Sequence, residues 1–101
     1  MIENTEALKR MIREMYPYLK HHFGIERIGI FGSFSTETAR ENSDIDLIVE
    51  FVKPIGLQFM NLAEFLEKKL GRKVDILTPA GLNSIRVKQV ADRIRRDVVY
   101  V

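Results

Sequence analysis

The 101-residue sequence contains no cysteine, which excludes a disulfide framework, a thiolate zinc centre and a cysteine nucleophile. An intracellular protein commonly has this composition, so we expect a cytoplasmic location. Long apolar runs are also absent: no stretch of about eighteen uncharged apolar residues occurs, and the amino-terminal segment MIENTEALKRMIREM is charged throughout. We therefore expect a chain that is neither exported nor embedded in a membrane.

The excess of one sign of charge is small as well. Sixteen Lys and Arg residues against fourteen Asp and Glu residues leave a net charge of +2, which gives no argument for direct nucleic-acid binding. The sequence is 46% hydrophobic and 30% charged, and a chain this short cannot divide its apolar residues between two cores. We expect residues 1–101 to form a single domain.

The apolar spacing in the first third of the chain predicts a helix, a strand and a second helix. Apolar residues at helical spacing predict a helix over about residues 4–21, which Pro17 should end or kink near Tyr16. The apolar run over residues 25–31 closes on a glycine and has the profile of a buried strand. Residues 34–41 predict a short helix with Ser33 at its start.

The remainder continues the alternation of strand and helix. Residues 43–51 alternate, so that one strand face is apolar and the other carries Asp44, Asp46, Ile48 and Glu50. An amphipathic helix ends at Gly71, and residues 73–77 predict a third strand that contains Asp75, closed by Thr78, Pro79 and Gly81. A last helix begins near Val87, and its tail over 98–101 is either helix or a terminal strand.

Three polar features converge if these strands are neighbours in one sheet. Gly32 allows a tight turn after the first strand, and amides at the start of the following helix would present donors to a phosphate. Ser33 adds a hydroxyl there. Asp44 and Asp46 share a strand face, where their charges repel, and Asp75 lies on the third strand. The pattern predicts a site for a divalent cation and a nucleotide.

Oxygen ligands with no His or Cys beside them favour Mg²⁺ or Mn²⁺ over Zn²⁺. Mg²⁺ commonly binds one or two carboxylates together with substrate phosphates, so a nucleoside triphosphate would complete the coordination. In this reading Asp44 and Asp46 hold the metal, while Asp75 binds a second metal or helps to deprotonate an acceptor hydroxyl.

The order Gly32-Ser33, ten intervening residues and then Asp44-Ile45-Asp46-Leu47 resembles the signature of the DNA polymerase beta-like nucleotidyltransferase superfamily. Over nearly the whole chain it is most similar to the minimal nucleotidyltransferase (MNT) antitoxins, small prokaryotic proteins often paired with a HEPN-domain ribonuclease toxin. The resemblance implies an α/β (α+β) fold with a small mixed sheet and packed helices. It also implies Mg²⁺-dependent transfer of AMP from ATP to a tyrosine of the toxin, with Asp44, Asp46 and Asp75 as catalytic residues.

One segment departs from the pattern. Many relatives carry an Ala-Arg-Gly run shortly after Gly-Ser, whereas this chain has Phe34-Ser35-Thr36-Glu37. Arg40 would replace that arginine only if the short helix turned it inward. A basic stretch over residues 86–96, which contains Arg93 and Arg96, is either a charged helix face or a surface for an acidic partner or phosphate groups.

Chain length gives an argument about partners. A nucleotidyltransferase needs walls for the base, the triphosphate and the acceptor, and 101 residues offer about half of such a cleft. A partner protein or a second copy should supply the other half. Two rival functions stay open: a small-molecule nucleotidyltransferase, and a catalytically weak binding module that neutralises its partner by occlusion.

Overall fold

Residues 2–101 are described by a computed structural model in which helices pack on both faces of one four-stranded sheet. The elements in chain order are α1 (Thr5–Phe23), β1 (Ile25–Phe31), a 3₁₀ helix (Gly32–Phe34), β2 (Ile45–Phe51), α2 (Gln58–Leu70), β3 (Val74–Leu77), α3 (Pro79–Asn83), α4 (Lys88–Asp97) and β4 (Val99–Tyr100). This arrangement confirms the predicted α/β (α+β) class with a small mixed sheet.

The sheet brings the predicted site segments to one edge. Its strand order is β3-β2-β1-β4, with β1 antiparallel to β2 and β4, while β2 and β3 are parallel and connected through α2. Phe31, the last residue of β1, pairs with Asp46 on β2, and Asp46 pairs with Asp75 on β3. The turn after β1 therefore begins at the same level of the sheet as both aspartates.

The two faces of β2 are buried differently. On one face, Ile45, Leu47 and Val49 belong to the main core, which also holds apolar residues of α1 and α2. On the other face, Ile48 forms a small second cluster with Leu82 of α3 and Ala91 of α4. The alternation predicted for this strand is confirmed, because Ile48 lies on the same face as the aspartates.

Helix α1 continues through Pro17 to Phe23, so the predicted helix over about residues 4–21 is confirmed, and of the two alternatives for Pro17 an end near Tyr16 is wrong. The side chain of Asn4 caps its start by accepting a 2.9 Å hydrogen bond from the Ala7 amide, and Gly24, at φ +69°, ends it after Phe23. Pro17 is exposed, and so is Arg13, whose carbonyl loses its helical donor and can bind water instead. Buried Leu19 and Phe23 continue the apolar face beyond the proline and offset its cost.

The predicted helix over residues 34–41 is also wrong. Only Gly32–Phe34 form a 3₁₀ helix, because local hydroxyl groups take the carbonyls that a longer helix would use. Ser35 Oγ donates to the Gly32 carbonyl at 2.8 Å, and Glu37 has a φ of +60°, which ends the turn.

Smaller differences concern where the helices and strands of the second half of the chain begin and end. Strands β2 and β3 begin at Ile45 and Val74, slightly later than the predicted starts at 43 and 73. Strand β3 ends at Leu77, as predicted, and Thr78 and Pro79 then begin the short helix α3, which the sequence did not predict. The Thr78 hydroxyl accepts a hydrogen bond from the Gly81 amide. Of the two alternatives for residues 98–101, the strand is confirmed. Within residues 2–101 no helix is long and apolar enough to cross a membrane.

Candidate active site

Gly32 and Asp46 meet where β1 ends. Gly32 has a φ of +71°, in the left-handed region that favours glycine, and it begins the 3₁₀ turn. A Cβ added at Gly32 would overlap the carboxylate oxygen Oδ2 of Asp46. Glycine is therefore required here for its backbone conformation and for the close approach of the acid.

Of the three predicted acids, Asp44 and Asp75 lie on either side of Asp46. Burial of its carboxyl is the largest of the causes that raise the pKa of Asp46 to about 6, followed by the negative charges of Asp75 and Asp44. Asp75 also lies within reach of a hydrogen bond from the protonated form of Asp46. Asp44 and Asp75 are exposed, so the cluster is half-buried at its centre and open to solvent on both sides.

Arg72, in the turn before β3, holds the backbone next to Asp44. Its guanidinium donates to the carbonyl oxygens of Arg40 and Ser43 at 2.9 and 3.0 Å, and to that of Ile2 at 3.0 Å. It also lies over the ring of buried Phe34, 5.3 Å from the centroid. A single side chain thus connects the loop before Asp44 to the turn that follows Gly32.

Beside this turn lies a cavity of about 350 Å³ that is lined by the hydroxyl-bearing residues Ser33, Thr36 and Thr38. The two threonine hydroxyls lie 2.9 Å apart, and the Thr38 amide donates to the Ser33 carbonyl at 2.9 Å, so the loop folds back over the turn. Neither threonine was predicted from the sequence as part of the site. The only signal for them was the density of hydroxyl residues between positions 33 and 38.

Helix α4 forms the opposite wall of the cavity, with Arg93, Ile94 and Asp97. From the sequence, Arg93 belongs to a basic stretch that is either a charged helix face or a surface for an acidic partner or phosphate groups. Arg40 is exposed and does not line the cavity; its carbonyl binds Arg72 instead. The condition under which Arg40 would replace the missing arginine is therefore not met, because the helix that would have turned it inward is absent.

The donor set fits a hard divalent cation. Asp44, Asp46 and Asp75 offer carboxylate oxygens only, and Mg²⁺ prefers oxygen ligands and retains several waters or substrate oxygens. Burial and the neighbouring charges of Asp75 and Asp44 raise the pKa of Asp46, and a bound cation would offset both effects. Among residues 2–101 no group of three or more His, Cys, Asp or Glu side chains is arranged to hold a metal ion by itself, so substrate oxygens would have to complete the coordination.

Comparison with known proteins places this geometry in a family. The family model for the nucleotidyltransferase domain matches residues 12–100. The chain is 40% identical over 97 residues to protein adenylyltransferase MntA of Thermococcus cleftensis, covering 95% of this chain and 94% of that protein.

Solved structures agree with the fold. A minimal nucleotidyltransferase of known structure superposes with a TM-score of 0.72 at 28% identity, covering 96% of this chain and 95% of the other. The structure of a tri-AMPylated Shewanella oneidensis HEPN toxin in complex with an MNT antitoxin gives a TM-score of 0.54 at 19% identity, covering 96% of this chain and 67% of the matched chain. At that identity the second similarity concerns the fold alone.

Proposed function

The chain belongs to the nucleotidyltransferase domain family and is a nucleotidyltransferase, and from that premise we propose that it transfers AMP from ATP to a tyrosine of a HEPN-domain toxin, as the antitoxin of the pair. The observation that carries the proposal is the contact between Gly32 and Asp46, with Asp75 paired to Asp46 on the next strand. The similarity to a protein adenylyltransferase over 95% of the chain supports protein as the acceptor.

The three acids take two roles in the proposed reaction. The acceptor hydroxyl oxygen forms a bond to the α-phosphorus of ATP, the bond from that phosphorus to the pyrophosphate oxygen breaks, and pyrophosphate leaves. Asp75 accepts the hydroxyl proton. Asp44 and Asp46 hold Mg²⁺, which when bound supplies positive charge against the phosphate oxygens. The Ser33 hydroxyl donates a hydrogen bond to a phosphate oxygen.

A macromolecular acceptor suits the exposure of the site. Asp44 and Asp75 are both exposed, so a hydroxyl on the surface of another protein can reach them without entering a closed pocket. A small acceptor would need walls of its own to be oriented. The cavity beside Ser33, of about 350 Å³, would receive the triphosphate end of the nucleotide.

The test is a labelling experiment with the full chain, Mg²⁺ and the protein encoded by the neighbouring reading frame. ATP labelled at the α-phosphate should label a tyrosine of that protein, whereas ATP labelled at the γ-phosphate should not. The double variant Asp44→Asn and Asp46→Asn should lose the label, because amides bind Mg²⁺ weakly. Glu41→Gln removes an exposed carboxylate from the preceding loop and should retain it.

Three outcomes contradict the proposal in different ways. Label on a small-molecule acceptor alone would support the first rival function. Inhibition of the neighbour without any label would support occlusion. Undiminished label in the double variant would remove Asp44 and Asp46 from the chemistry.

A further inference from the structure

We propose that Arg93 of α4 binds the β- and γ-phosphates of the nucleotide and stabilises the pyrophosphate as it leaves. This inference rests on the proposed function and adds to it the residue that neutralises the outer phosphates. It begins from the cavity beside Ser33, which has a volume of about 350 Å³. Arg93 lies on one wall of this cavity and the hydroxyl-rich turn lies on the other. That volume lies in the range of small-ligand sites.

The packing of α4 fixes the direction in which Arg93 points. Ala91 is buried against Ile48 of β2, and Ile94 and Val98 pack on the same cluster. Ala91 and Ile94 are three residues apart on one face of the helix, and Val98 follows directly after its end. Arg95 adds a 2.8 Å hydrogen bond to Asn83 of α3. The helix is therefore held so that Arg93 and Asp97, four residues apart, face the cavity.

Arg93 differs from the other arginines of α4 in having no partner within residues 2–101. Arg95 lies 3.4 Å from Asp92, and Arg96 lies 3.4 Å from Asp97. Asp97 could pair with Arg93 by helical spacing, yet its oxygen is directed to Arg96. The pairing with Arg96 offsets the one acidic charge on the cavity wall, and the guanidinium of Arg93 stays available to an anion.

The turn after β1 leaves a need for such a cation. A 3₁₀ helix of three residues is too short to provide the dipole and free amides that a long helix offers to phosphate. The hydroxyl of Ser33 can donate a hydrogen bond but carries no charge, and the hydroxyls of Thr36 and Thr38 are engaged with each other and with the carbonyls of Gly32 and Ser33. A guanidinium matches phosphate oxygens with two parallel donors, so Arg93 supplies both charge and orientation.

The position of the acids sets the direction of the triphosphate. The α-phosphorus must lie near Asp46, whose carboxylate fills the space in front of the Gly32 α-carbon. The cavity begins at Gly32 and Ser33 and extends to Arg93. The outer phosphates therefore extend away from the acids, past Ser33, towards α4.

The experiment measures binding by titration calorimetry with the full chain in Mg²⁺, using ATP and AMP as probes. Arg93→Gln should weaken ATP binding about tenfold, the size expected for losing a charged hydrogen-bonded pair near the surface. AMP binding should stay within about twofold, because AMP lacks the outer phosphates. Arg93→Lys should restore part of the ATP affinity. Arg86→Gln removes the same charge from an exposed position that does not line the cavity and should leave both affinities unchanged.

The outcomes separate this inference from the function on which it rests. If the wild-type chain does not bind ATP, both are overturned. If it binds ATP and Arg93→Gln binds equally well, Arg93 has no role in the site while the proposed function stands. Equal loss of ATP and AMP would place the nucleoside or the α-phosphate in the cavity, and the assignment of the outer phosphates to Arg93 would be wrong.

Discussion

Arg72 Nη1 donates a 3.0 Å hydrogen bond to the carbonyl oxygen of Ser43, the residue immediately before Asp44. On the other side of Asp44, the amide of Ile45 donates to the carbonyl of Lys73 at 2.9 Å. The backbone of Asp44 is thus fixed on both sides by the two residues that precede β3. Because Asp75 lies on β3, two residues after Lys73, one short segment of chain sets the positions of two of the three acids.

Replacing Arg72 should disturb the acids without touching them. We expect Arg72→Gln to lower the free energy of unfolding by about 2 kcal/mol, because several carbonyls lose a charged donor. Exchange of the amides at positions 40–44 should become faster, and transfer should slow about tenfold because Asp44 is no longer held in place. Lys73→Gln alters the adjacent exposed charge and should do neither. Unchanged exchange in Arg72→Gln would show that the loop is held by other contacts.

Two glycines with similar backbone angles separate conformational strain from steric overlap. Gly24 and Gly32 have φ values of +69° and +71°, but a Cβ at Gly24 meets nothing within 4 Å, whereas one at Gly32 overlaps Asp46 Oδ2. Gly24→Ala and Gly32→Ala should both cost about 1 kcal/mol of stability from the left-handed conformation. Only Gly32→Ala should also abolish transfer. Equal activity of the two variants, measured with thermal denaturation as the stability control, would contradict a close contact at Gly32.

The raised pKa of Asp46 predicts a pH-dependent cost to folding. The folded chain, with a pKa of about 6, holds this proton more tightly than the unfolded chain, with a value near 3.8. The ionised carboxylate therefore destabilises the fold increasingly as pH rises from about 4 to about 6, and by a constant amount above that range. A fully buried group would contribute about 3 kcal/mol, and partial exposure reduces this to about 1 kcal/mol.

Asp46→Asn should consequently raise the free energy of unfolding by about 1 kcal/mol at pH 7.5 in metal-free buffer, with little change at pH 4. Mg²⁺ should raise the melting temperature of the wild-type chain, but not of this variant, because ligand binding stabilises the state that binds it. Glu41→Gln serves as the matched carboxylate control. Denaturant titrations at the two pH values test this prediction. An increase in the free energy of unfolding that is the same at both pH values would exclude the charge of Asp46 as its cause.

Pro17 offers a stability test far from the acids. Pro17→Ala should stabilise the chain by about 1–2 kcal/mol, since it restores the amide that α1 lacks opposite the Arg13 carbonyl. Pro54→Ala, in the exposed loop before α2, should bring no gain. Melting temperatures of the two variants provide the comparison. A fall for Pro17→Ala would mean that α1 already satisfies that carbonyl by distortion.

The sheet was accessible from sequence because its signals are periodic and local. The alternation in residues 43–51 set the two faces of β2, and the position of Ile48 among the acids is confirmed by its burial beneath α4. The sequence predicted that the aspartates converge if the strands are neighbours, and the pairing of Asp46 with Asp75 on adjacent strands meets that condition. The spacing of Gly32-Ser33 and the aspartates carried the family resemblance.

The loop between Gly32 and Asp44 was not accessible, for a physical reason. Its conformation is decided by hydrogen bonds of Ser35 and Thr36 to the Gly32 carbonyl and by the distant Arg72, none of which has a periodic signature. The continuation of α1 through Pro17 depends on tertiary burial of Leu19 and Phe23, which outweighs the local penalty. The facing of Arg93 and Ser33 likewise depends on how α4 docks.

The acids are built into strands that share the main core with α1 and α2, whereas α4 is attached to the sheet through a cluster with only three buried members in the described chain, Ile48, Leu82 and Ala91. Over evolutionary time, substitutions can accumulate on α4 at little cost to the rest of the molecule. The affinity for the outer phosphates can therefore change while the acids keep their positions.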